Sequence, residues 1–191
     1  MLIELAVGMA AAVVVSALAR AVVQRRQRLV ALPPPEPPKQ DDRALEVGDV
    51  LLYLDESLWL AGVLELDEGA DPLRLFTTPE SQRASWVCDV VGERGLLFLR
   101  ESSDLPDGPM PERLPLEGRI LRLAQRGRGV VRARGEHLPE SRDRASYTLL
   151  ADVGGRVALV VDFEDGPRLA LVGDRIERRL VERLPGERPE R

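Results

Sequence analysis

The sequence predicts a mainly β protein carried behind an N-terminal transmembrane helix. Three features predict it: an unbroken apolar run near the start, a dense proline stretch after it, and then short apolar segments divided by Gly, Asp and Pro. Residues 5–19 (LAVGMAAAVVVSALA) hold fifteen apolar or small residues in a row. Extended to 2–23, the segment gives a helix of about 33 Å, enough for a hydrocarbon core of about 30 Å. Glu4 then lies among headgroups at one end, and Arg20 snorkels to the interface at the other. Arg20, Arg25, Arg26 and Arg28 follow the run, whereas only the α-amino group precedes it. This bias orients the N-terminus outside and the remainder in the cytoplasm, at an inner or plasma membrane. A cleaved signal peptide ending at Ala17-Leu18-Ala19 fits less well, because it lacks a basic leader. A buried helix of a soluble domain fits less well too, because the run has no polar stripe.

Residues 1–28 are thus read as anchor and basic flank, and residues 29–44 as linker. Pro33–Pro38 has five prolines in six positions, which favours a semi-rigid polyproline II spacer. Residues 45–184 form the β-rich domain, and residues 185–191 a disordered tail. Candidate strands are 50–54, 58–66, 73–77, 85–91, 96–100, 120–124, 130–133, 147–151, 157–163 and 169–172. Their lengths suit an antiparallel barrel or sandwich, with Asp165-Gly166 as a hairpin turn. One short C-terminal helix is expected: Asp174 as cap, Glu177 as its reciprocal partner, and Ile176, Leu180, Val181 and Leu184 on one face.

An internal likeness divides the domain into candidate halves, 45–117 and 118–184. Arg83-Ala84-Ser85-Trp86 recurs as Arg144-Ala145-Ser146-Tyr147, and Gly48-Asp49-Val50-Leu51 has a counterpart in Gly118-Arg119-Ile120-Leu121. Charge divides similarly. Residues 41–117 hold six basic and eighteen acidic residues, net −12, and residues 118–191 hold sixteen and twelve, net +4. Such halves attract one another, or present one charged face to a partner. Of the basic residues 26 are Arg, with Lys39 the single Lys, a bias that a GC-rich genome writes and that assigns no role.

Reactive groups are sparse. Cys88 and His137 are the only residues of their kinds, so a Cys–His nucleophile pair requires those two to meet. The same scarcity disfavours zinc. The acidic stretches 67–71 and 162–166 lack the alternating ligand spacing of a calcium loop and read as solvated turns. No metal or cofactor is expected. The main candidate for contact is an arginine stripe, Arg126, Arg128, Arg132 and Arg134, which share parity on one strand face. Its arginines pair with the acidic first half, or else touch anionic lipid or a protein partner. Nucleic acid fits poorly, because the domain is net negative and lacks interleaved aromatics.

The domain resembles the bacterial domain of unknown function 4178 family across residues 45–184. The resembling residues are Leu45-Glu46-Val47-Gly48-Asp49, Gly118-Arg119-Ile120-Leu121, Gly135-Glu136-His137-Leu138-Pro139, Tyr147, the run Val157–Val161, and Gly173. Where that family often has an acid before the central aromatic, Ser85 and Ser146 stand here. The resemblance implies an accessory or interaction role and no defined activity. The expectation is therefore a non-enzymatic, membrane-tethered domain of an envelope-associated complex. The alternative is a small-ligand binder or enzyme with Asp89, Asp152 or Asp162 in a site between the halves.

Overall fold

The computed structural model of the chain describes residues 44–69, 72–90, 95–140 and 143–186. All lie within the compact unit Asp41–Arg191. The expected anchor, the proline-rich spacer up to residue 43 and tail residues 187–191 fall outside the described residues. Among the described residues no helix is long and apolar enough to cross a membrane.

The strands are β1 (Val50–Tyr53), β2 (Glu56–Trp59), β3 (Gly62–Asp67), β4 (Leu73–Thr77), β5 (Trp86–Asp89), β6 (Gly95–Glu101), β7 (Arg113–Leu116), β8 (Arg119–Gly135), β9 (Arg144–Ala151), β10 (Arg156–Phe163), β11 (Arg168–Glu177) and β12 (Glu182–Leu184). Eight of them close an antiparallel barrel in the order β3-β4-β5-β6-β11-β10-β9-β8, with β8 returning to β3. Closure removes the unpaired edges that an open sheet exposes. Both seams join the halves. β6 meets β11 through pairs such as Phe98 with Asp174, and β3 meets β8 through pairs such as Leu64 with Ala133.

Alternation along these strands explains the three cores. Inward residues fill the barrel itself: Leu64 and Leu66, Leu73 and Leu75, Trp86 and Cys88, Leu97 and Leu99, Tyr147 and Leu149, Leu159 and Val161, Leu169 and Leu171. Outward apolar residues need covers, because bare apolar surface loses about 25 cal/mol per Å² of possible burial. The small sheet β12-β1-β2 supplies one cover, setting Leu51, Leu58 and Leu60 over Val63, Phe76, Val87 and Phe98. β7 and the segment before it supply the other, setting Leu105, Met110, Leu114 and Leu116 over Leu150, Ala158, Val160 and Val172.

β8 serves three partners in turn. Its start pairs with β7, its middle with β9, and its end, from Val130 to Gly135, with β3. A bulge between Leu123 and Gln125 re-aims it on the way. Gly127 and Gly129 lie within it, where a Cβ would collide with the Glu68 carboxylate and the Asp67 backbone respectively. The expected strands 120–124 and 130–133 are therefore two parts of one.

Two other expectations are corrected. Residues 58–66 are not one strand: the chain leaves the small sheet after Trp59 and enters the barrel at Gly62 through buried Leu60 and Ala61. The C-terminal helix is absent. β11 runs on to Glu177 because β6 takes its backbone groups as far as Gly95, and Asp174 binds Arg156 at 3.0 Å instead of capping. A single 3-10 turn at Arg178–Leu180 then leads into β12. An eleven-residue helix is marginal alone, so ladder bonds to β6 win.

Candidate functional site

The arginine stripe lies on β8 as its parity predicts, pointing outward while Val131 packs against the barrel core. Its members already have partners. Arg132 meets Asp67 at 3.2 Å and Arg134 meets Glu65 at 3.1 Å, both across the β3–β8 seam, and Arg128 pairs with Glu164. Arg126 donates to the Met110 carbonyl at 2.9 Å and to the Thr148 hydroxyl at 3.4 Å. The side chains of Arg128, Arg132 and Arg134 remain 66–69% exposed, so each pair is screened and its donors stay open to water.

The seam pairs belong to a wider pattern. Five ion pairs that join residues 45–117 to residues 118–184 have the acid in the first half and the arginine in the second. They are Asp67–Arg132, Glu65–Arg134, Glu117–Arg156, Asp89–Arg178 and Asp49–Arg183. The opposed charges of the two halves are spent, at least in part, on one another.

The three carboxylates of the alternative do not converge. Asp89 is buried on β5 and binds Arg178. Asp152, in the β9–β10 turn, accepts from the Arg156 amide at 2.8 Å and from Arg119 at 3.2 Å. Burial alone would raise its pKa, but these donors bring it below the ordinary carboxylate value. Asp162 stands near the far end of β10, facing Arg168 at 3.5 Å. Nor do Cys88 and His137 form a reactive pair: Cys88 is fully buried inside the barrel, and His137 is exposed in the turn after β8. Among the described residues no group of His, Cys, Asp and Glu is placed to hold a metal.

Two clusters were not legible in the sequence. Where β8 and β9 pair, exposed Gln125 donates to the hydroxyl of buried Tyr147 at 2.6 Å. Burial, then the neighbouring Glu68 carboxylate, pushes the Tyr147 phenol well above its ordinary value, so it stays protonated. On the outer face, a cleft of about 300 Å³ overlies the β6–β11 seam, with Arg83, Arg100, Glu117, Arg156 and Asp174 around it. These five come from separate segments, and only closure of the barrel brings them together. Arginine scattered through so Arg-rich a chain gives no local signal for that.

Compared with family models, with curated proteins and with solved structures, the chain matches none.

Proposed function

We propose that this chain is a non-enzymatic, membrane-tethered interaction domain, an accessory part of a bacterial envelope-associated complex, with its barrel on the cytoplasmic side. The observation that carries the reading is the filled barrel. Leucine, valine and aromatic side chains occupy its interior, with Leu64, Leu75, Leu97, Leu99 and Leu159 at 0% exposure, so chemistry is left to the surface. The sequence resemblance to the domain of unknown function 4178 family, which no family-model match accompanies, implies the same accessory role. The apolar run before the spacer supports the tether, and the arginines of β8 supply an exposed basic face to a protein partner or to anionic lipid.

Gene duplication is part of this proposal. The meanders β3–β6 and β8–β11 are joined at both seams by corresponding strands, first with first and last with last. Inward positions correspond as well: Leu97 and Leu99 with Leu169 and Leu171, and Trp86 and Cys88 with Leu159 and Val161. This correspondence matches β5 with β10. The likeness of Ser85-Trp86 to Ser146-Tyr147 instead falls on β5 and β9, where Trp86 opens one strand and Tyr147 is the fourth residue of the other, both facing the barrel core.

The orientation is tested by protease accessibility in bacterial membranes. Inverted inner-membrane vesicles should lose the barrel to added protease, while intact spheroplasts protect it. The opposite pattern contradicts the proposal.

A further inference from the structure

The cleft over the β6–β11 seam has a built lining. Phe98 and Val172 form its floor, both nearly buried, with the Gly173 backbone between the covers. Three guanidiniums and three carboxylates, Glu101, Glu117 and Asp174, line it; Glu101 accepts from the Trp86 indole at 3.4 Å, and two of the guanidiniums are committed. Arg83 pairs with Asp55 at 2.7 Å and with Glu56 at 3.2 Å. Arg156 spans Glu117 at 2.9 Å and Asp174 at 3.0 Å. Arg100 differs. Its Nε donates to the Arg83 carbonyl at 2.7 Å, which fixes the plane of the guanidinium, and among the described residues no carboxylate meets its two terminal nitrogens. Next to it the Ser102 hydroxyl accepts from the Asp104 amide at 3.1 Å and keeps its own proton to donate.

We infer that this cleft binds a small hydroxylated oxyanion, a sugar phosphate or a sugar acid, with the oxyanion on Arg100. An oriented guanidinium fork matches the paired oxygens of a carboxylate or phosphate. Glu117 and Asp174, held by Arg156 but 55% and 59% exposed, accept hydrogen bonds from hydroxyls on the rest of the molecule. The buried Nε of Arg156 has no acceptor among the described residues, so donor capacity remains on that side as well. The volume, about 300 Å³, is at the lower end of small-molecule sites. The inference does not depend on the tether.

The test is calorimetric titration of the full-length chain in neutral detergent with glucose 6-phosphate, gluconate, inorganic phosphate and neutral sorbitol. Glucose 6-phosphate, gluconate or both should bind, the stronger arm identifying the anion, with inorganic phosphate weaker and sorbitol silent. Arg100→Gln should weaken binding at least about tenfold, the scale of a lost charge-assisted bond. Arg100→Lys should fall between, and Arg113→Gln, an exposed arginine on β7, should match wild type. Circular dichroism of the Arg100 variants confirms that each still folds. Millimolar glucose 6-phosphate and gluconate both failing to bind overturns the inference. So does an Arg100→Gln or Arg100→Lys variant that binds like wild type, or sorbitol binding as well as the anions.

Discussion

Asp49 and Arg183 form a 2.7 Å pair whose side chains are only 4% and 7% exposed. Asp49 also accepts the amides of Glu46 at 2.7 Å and Gly186 at 3.1 Å, so it ties β12 to the start of the domain. Removing one member strands a buried charge. Arg183→Met is expected to cost about 3–5 kcal/mol in urea unfolding. Arg134→Ala, on the exposed stripe, should cost under about 1 kcal/mol. Comparable losses at the two positions would contradict this division. Glu56 carries a pH effect. Burial alone would raise its pKa, but the Ser81 hydroxyl at 2.8 Å, the Gln82 and Arg83 amides and the Arg83 guanidinium together hold it below the ordinary value. Its contribution is therefore present above the unfolded carboxylate pKa and is lost as pH falls through the depressed folded value. Acid titration of stability should show a shallower loss below about pH 4 in Glu56→Gln than in wild type. An identical acid slope would remove Glu56 from the account. None of these three residues, Asp49, Arg183 and Glu56, announces its role in the sequence, because each acts chiefly through partners brought from distant segments.

Strands with a clear apolar run and flanking turn residues were legible, among them β4, β6 and β10, as was the β10–β11 turn, where Asp165 adopts φ +54°. β7 and β12 were not, because Arg113–Leu116 contains Pro115 and Glu182–Leu184 has only three residues. β8 was legible only in pieces. Its glycines look like a loop, yet they are where neighbouring chain takes the place of inward side chains. Gly135, at φ +94°, ends β8 opposite Gly62, and a Cβ there would collide with the Ala61 carbonyl. Gly135→Val should therefore strain the closing seam through both its backbone conformation and its volume, costing about 1–3 kcal/mol or more. A melting temperature equal to wild type would show that the seam tolerates what its geometry forbids. Leu159→Ala, in the middle of the barrel core, should cost about 2–5 kcal/mol by the same assay. The arginine stripe was legible by parity alone, whereas its partners were visible only as a charge contrast between halves.

At the scale of the molecule, each half contributes four strands to one barrel and leaves both outer strands unpaired without the other. Fragments divided between Glu117 and Gly118 should each be disordered alone and recover β-sheet circular dichroism when mixed. Their association rate should fall with added salt, because the ion pairs between them run from acidic to basic half. Ordered single fragments, or association indifferent to salt, would contradict the role assigned to the charge contrast. The tether is the claim on which the proposed role most depends, and alkaline carbonate extraction of membranes tests it most directly. The intact chain should stay in the pellet, while a chain lacking residues 1–28 should move to the supernatant. Recovery of the intact chain in the supernatant would contradict the account.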